Sequence, residues 1–166
     1  MMDDFIYLHV INERNPGAAA IRWFTKSKAT HIEFCIKPGE FTPGGYLGAR
    51  IAGGVALRPW GYCNDVIDEW FGAVACTSEQ EKKVIEFAIS QLGCWYDLTD
   101  ILGLITNTNL AFPRTWICSQ LVDTAMEEGN IHMTDKDPDA HTTPAMLFNS
   151  KLFLHIDRPS FIPVPA

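Results

Sequence analysis

The sequence has no run of lysines and arginines, and its acidic side chains outnumber the basic ones by 20 to 13. A net charge of −7 disfavours tight binding to nucleic acid or to anionic membranes, since both need a basic surface. No apolar stretch approaches the roughly 20 residues that span a bilayer, so no transmembrane segment is expected. The first residues, Met1-Met2-Asp3-Asp4-Phe5-Ile6-Tyr7-Leu8, lack the basic and apolar regions of a secretory signal. A cytoplasmic protein is the expectation. The five cysteines, at positions 35, 63, 76, 94 and 118, form no C-x-x-C pair and fit neither a zinc site nor a disulfide scaffold. Free thiols are expected, with no metal and no cofactor. Internal repeats, low-complexity segments and linkers are missing as well. What is there is the composition of a folded globular protein, 47% hydrophobic and 20% charged, long enough at 166 residues for one sizeable core.

The pattern along the chain predicts an α+β fold, a mostly antiparallel sheet packed against helices. Residues 5–12 read as a buried strand. Asn15-Pro16 reads as a cap and a first-turn proline, opening a helix over Gly17–Thr25 that buries Ala20, Ile21 and Phe24. The stretch 29–36 alternates, with His31, Glu33 and Cys35 on one face and Ile32, Phe34 and Ile36 on the other. The apolar face is the core face, so the polar trio is expected to look into a cleft or solvent. Strands follow at 46–51 and 54–59, and a further strand region at 62–70. Thr77-Ser78-Glu79-Gln80 is a capping-box start for a helix to about Leu92, stopped by Gly93. Asp97 is expected to cap a short helix through Leu104, followed by a polar loop over 106–113. A helix over Cys118–Glu128 carries the apolar stripe Leu121, Val122, Ala125 and Met126. Thr143-Pro144 starts a last short helix to Asn149, and residues 152–156 form a closing strand.

Cys118 is the centre of the expected chemistry. It sits in the first turn of its helix, where partial positive charge and unpaired N–H groups favour the reactive thiolate. A cysteine nucleophile needs a base, and the base needs a third group to orient it. Of the five histidines, His31 is the best placed, because a strand holds a side chain more rigidly than a loop does. Glu33 shares its face and is placed to accept the imidazole N–H. Cys35, Cys63, Cys76 and Cys94 read as small buried hydrophobes, and His9 and His155 as structural strand residues. His132 and His141 lie among Asp135, Asp137 and Asp139, a spacing that matches no ligand motif and reads as a solvated loop. Arg50 and Arg58, near glycines, read either as binders of an acidic substrate group or as caps of the sheet edge.

Five short segments then occur in a telling order: Thr30-His31-Ile32-Glu33, Gly53-Gly54-Val55, Gly93-Cys94-Trp95-Tyr96-Asp97, Trp116-Ile117-Cys118-Ser119-Gln120-Leu121 and Thr143-Pro144-Ala145-Met146-Leu147. Together they resemble the circularly permuted branch of the NlpC-like papain-fold superfamily, which contains the YiiX-like proteins and, more distantly, lecithin–retinol acyltransferase. In that branch the S/T-H-x-E strand comes first, G-x-x-Y-D follows, and the aromatic-x-C-S-x-L helix comes last. His31 precedes Cys118, as permutation requires. The resemblance implies one permuted papain-like domain over residues 1–166, with Cys118 as nucleophile, His31 as base and Glu33 as third member. It implies that Tyr96 lines the cleft, that Trp116 and Ser119 contact substrate beside the nucleophile, and that the Cys118 backbone N–H joins an oxyanion hole. The activity it implies is a cysteine hydrolase cleaving an amide in a peptide or an amide-linked conjugate. The alternatives are a thioesterase or acyltransferase on lipid-like acyl groups, and a non-catalytic binding protein that keeps the fold. The missing signal peptide departs from the secreted members and argues against trimming of periplasmic cell-wall peptide.

Overall fold

The computed structural model describes residues 4–39, 43–97, 114–135 and 141–164. In chain order the elements are β1 (Asp4–Glu13), α1 (Pro16–Thr25), β2 (His31–Ile36), β3 (Gly45–Arg50), β4 (Gly54–Arg58) and β5 (Val66–Cys76). They continue with α2 (Ser78–Ser90), β6 (Trp95–Tyr96), β7 (Thr115–Trp116), α3 (Cys118–Glu128), α4 (Pro144–Phe148) and β8 (Leu154–Ile156). Six strands form one sheet in the order β4-β3-β2-β1-β5-β8, and every neighbouring pair is antiparallel. The fold is therefore α+β, with a sheet backed by helices.

Period-two alternation explains the core. Ile6, Leu8 and Val10 of β1, Ile32, Phe34 and Ile36 of β2, and Leu47 of β3 all face the same way. They meet Val84, Ile85 and Ala88 of α2 and Leu121, Val122, Ala125 and Met126 of α3. Burial of each large member stabilises the fold by about 1.5–3 kcal/mol. The helix starts follow local chemistry. Asn15 accepts the Ala18 N–H to open α1, and Thr143 accepts the Met146 N–H to open α4. Thr77 and Gln80 form the capping box of α2.

Three expectations are corrected. The second face of β2 does not look into solvent: Glu33 is fully buried, and His31 and Cys35 nearly so. Segments 59–63 and 157–162 fold back over that face, where Tyr46, Trp60, Tyr62, Phe71, Phe161 and Ile162 cluster. Helix α1 buries only Ala18; Ala20 and Phe24 are exposed and Ile21 is half-buried, because their stripe lines a groove rather than the core. The strand read at 62–70 is Val66–Cys76. Its second half, Phe71 to Cys76, pairs with β1 and is covered on both faces, so it lacks a polar alternation to read. Finally, β6 and β7 form a two-residue parallel pair just before Cys118. The helix expected through Leu104 and the loop over 106–113 lie outside the described residues.

Candidate active site

Two layers meet at Cys118. Helix α3 begins there, capped by Ile117, and the first residue of β2 is His31. Cys118 and His31 are both buried there, and each perturbs the other's titration, with the backbone N–H of Ile32 also favouring the charged sulfur. His31 Nε2 lies 3.0 Å from Glu33 Oε2, which leaves Nδ1 for the sulfur. The β6–β7 pair sets the approach: the Asp97 N–H donates to the Trp116 carbonyl at 3.0 Å, and the Thr115 hydroxyl donates to Asp97 at 2.5 Å.

Glu33 is shared. Its Oε1 lies 3.0 Å from His9 Nδ1, and its Oε2 also accepts the Tyr62 hydroxyl at 2.7 Å. His9 reaches on from there, with Nε2 3.1 Å from Glu69 Oε2. A ring whose two nitrogens both face carboxylates must carry two protons to bond both, so His9 is an imidazolium. It is stacked between Tyr46 and Phe71, at centroid distances of 4.4 and 5.0 Å. The register places it: His9 stands directly opposite Glu33 on one side and Phe71 on the other. Arg50 pairs with Glu13, lies 3.7 Å from Glu33 through Nε, and stacks on Tyr62. Arg158 pairs with Glu69.

His9, His31, Arg50, Arg58 and Arg158 gather around the carboxylates Glu13, Glu33 and Glu69. Burial opposes charge on the thiol, but the His31 charge and hydrogen bond and the Ile32 N–H outweigh it, and the Cys118 pKa falls below the ordinary thiol value. Burial and Arg50 work against a proton on His31, yet the Cys118 thiolate and Glu33 hold its pKa up at about 9. Burial likewise raises Glu33, but His31, His9 and Arg50 keep it well below the usual carboxylate range. The site thus sets a thiol of lowered pKa beside an imidazole of raised pKa, backed by a buried carboxylate.

The remaining candidate residues separate. Tyr96 and Ser119 both line a groove that opens beside Cys118. The Ser119 hydroxyl donates to the Thr142 carbonyl at 2.6 Å, so it forms wall rather than a polar contact for substrate. Trp116 does not line that groove, contrary to expectation. Its indole donates to Gln91 at 3.1 Å and its ring packs edge-on against Phe87, because it alternates with Ile117 and points the other way. Arg58 donates to the carbonyls of Gly48, Ala52, Ala56 and Gly54, closing the β3–β4 turn. Asp137 and Asp139 lie outside the described residues.

Sequence reading missed His9, Tyr62 and Gly48. A histidine inside the apolar run Phe5-Ile6-Tyr7-Leu8-His9-Val10-Ile11 was the available signal, because a buried polar group needs partners. Gly48 is set by close approach: a Cβ there would stand 2.7 Å from the Glu33 Cβ and 3.3 Å from Glu33 Oε2. Gly48→Ala is therefore expected to push Glu33 off its partners at a cost of about 1–3 kcal/mol, lowering Tm by roughly 2–12 °C. A thermal melt matching the wild type would show that the carboxylate is not held by that contact.

The fold is YiiX-like. One solved structure that it matches is the metalloprotein YiiX from Escherichia coli O157:H7, a DUF1105 protein, with a TM-score of 0.67 and 12% sequence identity. The match covers 96% of this chain and 99% of that one, and at such identity it speaks to the fold alone. No family model and no curated protein matches the chain.

Proposed function

We propose that the chain is a cysteine hydrolase on a circularly permuted NlpC-like papain fold, cleaving an amide in a peptide or amide-linked conjugate. The observation that carries this reading is the buried, electrostatically coupled Cys118–His31 pair with Glu33 behind the imidazole. The Cys118 thiolate attacks the carbonyl carbon, and a sulfur–carbon bond forms. His31 then gives its proton to the departing amine, and the acyl-enzyme remains. Water enters, His31 takes its proton, and the sulfur–carbon bond breaks to release the acid. Glu33 holds the ring through Nε2 and stays ionised throughout.

The start of α3 suits an oxyanion. Helices α1, α2 and α4 each have a side-chain oxygen capping their first turn, whereas Ile117 has none to give. First-turn N–H groups of α3, that of Cys118 among them, thereby lack a side-chain cap and are the donors this reading assigns to the oxyanion. A non-catalytic role is disfavoured by the electrostatic coupling between Cys118 and His31.

YiiX is described as a metalloprotein. Among the described residues that chemistry finds no fit. No group of three or more His, Cys, Asp or Glu among the described residues is arranged to hold a metal. The nearest gathering, His9, Glu33 and His31, has its nitrogens committed to carboxylates and the thiol, and its carboxylate to two imidazoles and a phenol.

Alkylation by iodoacetamide at pH 7, followed by mass spectrometry, tests the thiolate. Cys118 is expected to react first although it is only 3% exposed, because burial pushes the more open Cys63 up to about 11. Labelling led by Cys63 would defeat the reading.

A further inference from the structure

Resting on that reading, we infer that His9 is a positioning residue for the reaction: clamped between Glu33 and Glu69, its ring locks the buried carboxylate in the rotation that offers Oε2 to His31. It acts through Glu33, at the far side of that carboxylate from the candidate base. The partners of Glu33 divide unevenly. His31 and Tyr62 meet Oε2, and Arg50 approaches the same oxygen. Among the described residues, His9 alone meets Oε1. Its bond is therefore the one that stops the carboxylate from turning and withdrawing Oε2 from the imidazole. A base whose ring is not oriented takes and gives protons poorly.

The clamp is itself built to hold. His9 stands opposite Glu33 on one neighbouring strand and opposite Phe71 on the other, so the sheet register sets the row. The ring is 2% exposed and lies between Tyr46 and Phe71, which confines it to one plane. A half-turn about Cβ–Cγ would set ring carbons against both carboxylates and lose both hydrogen bonds. Burial works against a charge on this ring, yet its bonds to Glu33 and Glu69 hold its pKa above the ordinary histidine value. Glu69 is paired in turn with Arg158, which lies over Phe71 at 5.1 Å. The row His31, Glu33, His9, Glu69, Arg158 thus alternates in charge. It runs from the candidate base to a solvent-open cavity whose wall includes His9, Glu69 and Arg158.

The two ring nitrogens give the test its handle. The amide nitrogen of Asn takes the place of Nδ1, and that of Gln the place of Nε2. His9→Asn therefore keeps a donor for Glu33, whereas His9→Gln keeps one only for Glu69. The assay is turnover of p-nitrophenyl acetate by the full chain, well below the melting temperatures of both variants. The nitrophenolate leaves unaided, so kcat reads deacylation, the step in which His31 activates water. His9→Gln is expected to lower kcat about 10–100-fold with KM little changed, and His9→Asn to recover most of that loss. A purely structural role would give the two folded variants equal kcat. Equal values, the reverse order, or wild-type kcat in His9→Gln overturns the positioning role while the nucleophile assignment stands. Wild-type protein labelled with 15N-histidine supplies a check that needs no variant to fold. Both His9 nitrogens are expected to carry protons at pH 7, and a ring with one proton, able to donate to one carboxylate only, overturns the clamp. Acetate turnover that survives Cys118→Ala instead overturns the hydrolase reading beneath it.

Discussion

Cys118→Ala is expected to abolish turnover, by roughly 10⁴-fold or more in kcat, with the fold intact. The size follows from the chemistry. Without the sulfur no covalent intermediate forms, and only the helix N–H groups and substrate binding remain. The fold survives because one buried atom is lost and the core stripe of α3 is untouched. The same variant carries a second readout. His31 is held up at about 9 by the Cys118 thiolate and Glu33, against burial and Arg50. Removing the thiolate leaves the opposing influences in place, so the His31 titration midpoint, followed by NMR, is expected to fall. Persistent turnover would end the hydrolase reading. An unchanged midpoint would show that sulfur and imidazole do not share charge.

Much of the frame was legible because its signals are local. The span Cys118–Glu128, its four-residue stripe, the Thr77 capping box and the Thr143-Pro144 start all depend on neighbours within one or two turns. Alternation in β2 likewise put His31 and Glu33 together. What escaped was set by register and by returning segments. His9 reaches Glu33 only because β1 pairs antiparallel with β2 in one alignment, and a shift of one residue would turn it into the core. Tyr62 reaches Glu33 from a turn read as strand. Trp116 was drawn to the nucleophile by adjacency in sequence, although adjacent residues on an extended segment point apart. The exposed stripe of α1 looked like core because amphipathicity reports an apolar neighbour without saying whether that neighbour is core or groove.

Glu33 is where stability and chemistry are joined, so its two substitutions are expected to part company. Glu33→Ala leaves the His9 and His31 rings, Arg50 and the Tyr62 hydroxyl facing an empty buried site. Removing one partner of a buried ionic network costs about 3–5 kcal/mol, enough to lower Tm by roughly 6–20 °C. Glu33→Gln keeps the shape and a carbonyl acceptor but loses the charge. It is expected to fold, with a His31 midpoint below about 9 and kcat lower by roughly 10²–10⁴-fold, since the ring is then held without its counter-charge. The acid limb separates the variants further. Glu33 has a folded pKa well below its unfolded value of 4.5. Its stabilisation is fully present above 4.5 and is lost as pH falls through the folded value. Wild-type Tm is therefore expected to fall steeply on acidification below 4.5, and that of Glu33→Gln less steeply, because Glu13 and Glu69 still contribute. Parallel acid limbs would show that the buried carboxylate is not ionised in the folded protein. The two imidazoles around it would then lack their anion, and Cys118 would lose the His31 charge that lowers its pKa.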